Sequence, residues 1–250
     1  MSVQCVVLRL DAPLMSFGGA SSVDNIRTTE KFPARSMLTG LIANAMGWRH
    51  QDTDKLHELQ SRIVYAARWD VDPVEIEDYQ TIGIKTPYIM GAKKADAKKS
   101  HWWTFDGKIT NINRSDTFIR YKRYLQDGLM TVTVSLSKED ERINLDAIQR
   151  CLDMPKRPLF IGRKTCIPSR PLLDPQTPVV MGDNVLDALK SVPVMDKVGR
   201  HQDKKKMFYW TNDESVSEGL KDMIDAFDMR NWESQLCMSG KQIRFGVIEQ

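Results

Sequence analysis

Apolar and polar positions alternate along "VQCVVLRL" (3–10), with Val6, Leu8 and Leu10 on one face and Cys5, Val7 and Arg9 on the other, which predicts a buried strand. "DAPLMSFGGASS" follows with the proline, glycine and serine content of a loop. From Ser36 the period changes: Met37, Leu38, Leu41, Ile42, Ala45 and Met46 fall on one side of a helix that Gly47 closes. "SRIVYAARWD" (61–70) predicts a second strand, stopped by "VDP". "LMTVTVSL" (129–136) is the cleanest strand, with Met130, Val132, Val134 and Leu136 facing inward and the threonines outward. "NLDAIQRCLDMP" (144–155) predicts a helix capped by Asn144, apolar at Leu145, Ile148 and Leu152, and ended by Pro155.

Strand, helix, strand, strand, helix is the opening of a split β-α-β-β-α-β unit. The expected class is therefore α+β: a ferredoxin-like (RRM-like) domain over residues 1–165, closed by a strand at "PLFIG" (158–162) or "KMFYW" (206–210). Residues 166–250 mix short strand-like runs with proline, glycine and charge, and are expected to form an irregular, β-rich appended lobe. About fifty residues more than a hairpin needs separate the second and third strands. Within them "HWWTF-DG-KITNI" places Asp106-Gly107 between alternating runs, a hairpin signal, so a basic and aromatic β-hairpin thumb is expected over about residues 80–118.

The net charge of +3 becomes informative only when divided. Residues 81–124 hold ten Lys or Arg against three Asp, a local excess of seven, which leaves the rest of the chain net negative by four. Local positive charge suits a polyanion; it would equally suit a solvated lysine-rich loop. No apolar run reaches the length of a membrane span, and the N-terminus lacks a signal-peptide pattern. Cys5, Cys151, Cys166 and Cys237 show no C-x-x-C spacing, so neither a metal knuckle nor a disulfide framework is expected. A cytoplasmic protein without cofactor or membrane partner fits these bounds.

Three stretches carry candidate chemistry. Arg27, Lys31 and Arg35, against a lone Glu30, gather just before the helix start, where the macrodipole already favours anions. A bound phosphate would resolve the conflict, with Ser36 capping the helix or donating to the same anion. The alternative is that Arg27 and Lys31 point to water while Arg35 pairs with Glu30. "FIRYKRYLQD" (118–127) interleaves Arg120, Lys122 and Arg123 with Tyr121 and Tyr124, cations for phosphates and rings for unstacked bases, or else an edge strand whose tyrosines are core. In "PLFIGRKTCIPSRPL" (158–172), Gly162 would let a sugar-phosphate chain approach and Arg163 and Lys164 would neutralise it. Catalytic constellations are scarce: for metal-free RNA cleavage only Lys99 with His101, helped by Tyr88, offers an acid–base pair.

"LRLDAPLMSFGG", "RTTEKFPARSMLTGLIANAMG", "RYKRYLQDGLMTVTVSL" and "RPLFIGRKTCIPSRPL" together resemble, in order and spacing, the CRISPR-associated family five, its type I-E (CasD-type) branch in particular. The resemblance covers about residues 3–172. Phe17 stands where the family often has Trp and should still pack; Ala34 and Met37 replace more typical Thr and Gly. The resemblance implies a ferredoxin-like (RAMP) domain with a protruding thumb that holds the 5′ handle of CRISPR RNA (crRNA). It implies as partners the backbone (CasC) filament, which such a subunit caps, the large (CasA) subunit and, indirectly, target DNA. The implied RNA contacts are Arg27, Lys31, Arg35, Ser36, Lys99, His101, Arg120, Lys122, Arg123, Arg163 and Lys164. In the type I-E branch the subunit binds without cleaving. In the type I-C branch its equivalent processes precursor crRNA without metal, and Lys99, His101 and Tyr88 would then be the catalytic residues here.

Overall fold

A computed structural model describes residues 2–19, 26–83, 101–103, 109–111, 117–197, 199, 206–238 and 242–249. The chain begins with β1 (Val3–Asp11), β2 (Leu14–Met15) and β3 (Ile26–Arg27), then α1 (Arg35–Met46) and α2 (Thr53–Arg62). Next come β4 (Ile63–Val71), β5 (Val74–Gly83), β6 (His101–Trp103), β7 (Ile109–Asn111), β8 (Thr117–Gln126) and β9 (Leu129–Leu136). α3 (Leu145–Asp153), β10 (Val179–Gly182), α4 (Val185–Ser191) and β11 (Lys206–Thr211) follow. The chain closes with β12 (Leu220–Asp225), β13 (Met229–Arg230), β14 (Cys237–Met238) and β15 (Gln242–Glu249).

The described residues fall into two compact units, one within 1–21, 28–76 and 124–250, the other within 22–27 and 77–123. The first is built on a seven-stranded sheet of order β10-β1-β9-β4-β11-β15-β12. Val6, Leu8 and Leu10 of β1 and Met130, Val132 and Val134 of β9 meet Leu38, Leu41 and Ile42 of α1 and Ile148 of α3 in the main core. α1 ends as expected at Gly47, whose φ of 79° is left-handed. Asn144 caps α3 by accepting from the Ala147 amide at 2.8 Å. Phe17 packs, stacked on Trp69 with ring centroids 5.7 Å apart.

Three expectations are corrected. The strand beside β1 is β10: "PLFIG" is not a strand, and "KMFYW" is β11, on the other side of β4. Four-residue "VVMG" carries too little alternation to signal itself. The boundary expected at 165/166 falls inside the first unit, because β10, β11, β12 and β15 all extend the main sheet. The threonines of β9 do not face water. Thr131 and Thr133 are buried, because α4 and the segment after it cover the sheet's second face.

That second face is polar. Arg9 donates to Asp70 at 2.7 Å, Asp174 at 2.5 Å and the Pro193 carbonyl at 2.9 Å. Arg68 donates to Asp70 at 2.9 Å and to the carbonyls of Leu189 and Val192. Two fully buried guanidinium groups are tolerable only because their N–H groups are met in this way. Burial opposes ionisation of Asp174, but the Thr177 amide, Arg9 and the Gln176 amide outweigh it and hold its carboxyl below the usual range. The network fastens the 189–195 connection to the sheet.

In the second unit β8 is the spine. β3 pairs with it in parallel, Ile26 opposite Tyr121 and Arg27 opposite Lys122, and β5 also pairs with it. β6 and β7 form an antiparallel pair, His101 opposite Asn111 and Trp103 opposite Ile109. The Asp106-Gly107 turn, Lys99 and Tyr88 lie outside the described residues.

Candidate nucleic-acid interface

In the second unit, alternation along β8 sorts side chains onto two faces. Lys122 and Arg120 share one face, and the register of β3 adds Arg27 beside Lys122. Tyr121 and Arg123 occupy the other. There Tyr79 of β5 lies against Tyr121, ring centroids 5.4 Å apart at 59°, and Glu77 pairs with Arg123 at 3.3 Å. One face of the ribbon is thus cationic and the other carries two rings with a half-exposed ion pair. Tyr79 is 55% exposed. Sequence reasoning missed it, although Val74, Glu75, Ile76 and Glu77 hint at the alternation of β5. His101 opens β6.

In the first unit, Arg163 stands with its guanidinium 4.6 Å from the centre of the Tyr124 ring and donates to the Thr28 carbonyl at 3.2 Å. Tyr124 is buried, so its face is occupied by Arg163 and offers nothing to a base, a correction to the stacking role expected of it. Tyr121, with Tyr79, remains the candidate ring pair for that role. Gly162 is also corrected. Its φ is 91°, and a Cβ there would lie 1.6 Å from the Ser16 carbonyl oxygen. The backbone that this glycine lets approach is the protein's own, and the Ser16 amide closes the contact by donating to the Ile161 carbonyl at 3.1 Å. Lys164, next in the loop, is exposed.

The conflict at the start of α1 is resolved within the chain. Arg35 is not a surface cation: it is buried, with Nε 3.4 Å from Asp228 Oδ2. The Asp228 carbonyl accepts from the Ser36 amide at 2.8 Å, doing the work of an N-cap where Ala34 has no hydroxyl. Ser36 is therefore not the cap, and Arg35 pairs with neither Glu30 nor an exogenous phosphate. The anion that the helix start lacks in its own sequence neighbourhood arrives from 193 residues away. Burial raises the Asp228 carboxyl and Arg35 pulls it back. Lys31 remains exposed, its backbone held by the Trp69 indole, which donates to the Lys31 carbonyl at 2.9 Å.

The candidate RNA-contacting cations are thus, taking each unit by itself, Lys31, Arg163 and Lys164 in the first and Arg27, Arg120, Lys122 and Arg123 in the second. Among the described residues no group of three or more His, Cys, Asp or Glu is placed to hold a metal, and no helix is long and apolar enough to cross a membrane.

Residues 5–239 match the family model described as CRISPR-associated protein (Cas_Cas5). The chain belongs to this family. It is 24% identical over 169 residues to the CRISPR system Cascade subunit CasD of Escherichia coli (strain K12), spanning 67% of this chain and 68% of that protein. Among solved structures it resembles a chain of a CRISPR RNA-guided surveillance complex, with TM-score 0.66, 24% identity and coverage of 98% of this chain and 90% of that one. It also resembles a Cas protein crystal structure, with TM-score 0.63, 21% identity and coverage of 98% and 95%. These two likenesses concern the fold, and the family match covers both units.

Proposed function

We propose that this family member is a non-catalytic, RNA-holding subunit of a Cascade surveillance complex in CRISPR defence. It binds the 5′ handle of crRNA, caps the filament of backbone (CasC) subunits, and sits beside the large (CasA) subunit, meeting target DNA only indirectly, in the cytoplasm. The observation that carries the reading is the β8 ribbon, cations on one face and paired tyrosines on the other, in a chain whose family is CRISPR-associated. Single-stranded RNA is gripped by this combination, cations on the phosphates and rings on the bases. The strand order β10-β1-β9-β4, with α1 after β1 and α3 after β9, supports a ferredoxin-like (RAMP) core. The second unit, which contains the segment 80–118, is the thumb.

Titrating the full chain with 5′-handle RNA at several salt concentrations tests this. With about five phosphates neutralised, log K against log salt slopes near −3.5, at roughly −0.7 per contact for single strands. A flat response overturns the reading. Cleavage of repeat RNA in EDTA, abolished by His101→Ala, would overturn its non-catalytic part and make the chain a processing endoribonuclease.

A further inference from the structure

Every cation of the proposed interface suits phosphate, and phosphates are the same at every nucleotide. Two acids stand among them: Glu77, which pairs with Arg123, and Glu30. Glu30 follows Arg27 and precedes Lys31 and Arg35 in the chain, yet in the fold none of these neutralises it: Arg35 has gone to Asp228, and Glu30 makes no ion pair with a described residue. Its backbone amide is tied to the Gly18 carbonyl at 2.7 Å. Its side chain lies over Gly19, where a Cβ would sit 3.3 Å from Oε1 and 3.0 Å from Thr28 Oγ1. Thr29 completes the fixture, its hydroxyl accepting from the Phe17 amide at 3.0 Å. The carboxylate therefore lies over Gly19, two residues along the chain from the Thr28 carbonyl that receives Arg163.

A half-buried carboxylate so placed, with burial raising its pKa and no cation among the described residues offsetting it, is an acceptor with no protein donor among those residues. Phosphates cannot supply one, because they carry only acceptors. Nucleobases can. Guanine presents two adjacent donors, N1–H and N2–H, on its Watson–Crick edge, which matches the two oxygens of a carboxylate; uracil presents a single N–H flanked by carbonyl oxygens that repel it.

We infer that Glu30 is a specificity-determining residue, accepting the Watson–Crick edge of an unpaired guanine while Lys31, Arg163 and Lys164 hold the adjoining phosphates. The inference rests on the RNA-binding reading and adds to it a base preference. Beside it, Gly18 opens on space with no atom within 4 Å of where a Cβ would sit, which leaves the base room to approach.

The test uses the full chain and short uridine-rich RNAs carrying one guanosine, or one inosine, at each position in turn. The wild-type chain prefers guanosine at one position by roughly tenfold or more, and inosine, which lacks the N2 amino group, binds more weakly there. Glu30→Gln exchanges one acceptor for a donor: it flattens the preference and leaves the salt slope and thermal midpoint unchanged. Salt-dependent binding without base preference, or with a preference that Glu30→Gln does not alter, overturns this inference alone. Salt-independent or absent binding by both chains overturns the RNA reading itself and this inference with it.

Discussion

Arg35 and Asp228 make the buried ion pair on which the helix start depends. Removing one partner strands the other charge, so Arg35→Ala or Asp228→Ala is expected to destabilise the fold by about 3 kcal/mol in urea unfolding, with the double variant costing less than the sum. Gly162→Ala places a methyl against the Ser16 carbonyl at a left-handed φ. Its expected cost is on the order of 3 kcal/mol by the same measurement, with the 158–172 loop displaced. Asp140 gives a pH signature. The amide of Ile143, the guanidinium of Arg62 and the amide of Arg142 hold its carboxyl down to about 2. A depressed acid stabilises the fold above its unfolded pKa, and that contribution is lost as pH falls from about 4 through 2. Asp140→Asn is expected to flatten the thermal midpoint against pH over that window.

Among elements, β1, α1, β4, β9 and α3 were legible because each buries one periodic face, and periodicity is written locally. β10 and α2 were not read. β10 is four residues long and is fixed by its place beside β1, not by its own pattern. The threonines of β9 look outward-facing in sequence because what covers them, α4 and the following segment, lies far along the chain. The site divides on the same line. The cations of 118–124 stand out in sequence, whereas the capture of Arg35 by Asp228 and of the Tyr124 ring by Arg163 depends on contacts that composition cannot show. For the β8 ribbon the expected result is additive in phosphates. Arg27→Ala and Lys122→Ala each lower the salt slope of RNA binding by about 0.7, and Tyr79→Ala weakens binding by roughly 1–3 kcal/mol without changing it.

Across both units, net charge is a poor guide, because a local excess of seven is hidden in a chain of +3. The polar second face of the main sheet fastens 189–195, and its two guanidinium groups are buried with each nitrogen bonded within the chain, so RNA binding is expected to leave that face untouched. Photocrosslinking the full chain to 4-thiouridine-substituted 5′-handle RNA, followed by mass spectrometry of the adducts, tests the central claim most directly. Adducts confined to residues 26–31, 79–83, 118–124 and 163–164 are the predicted result; adducts confined to α4, β12 or β15 would contradict it.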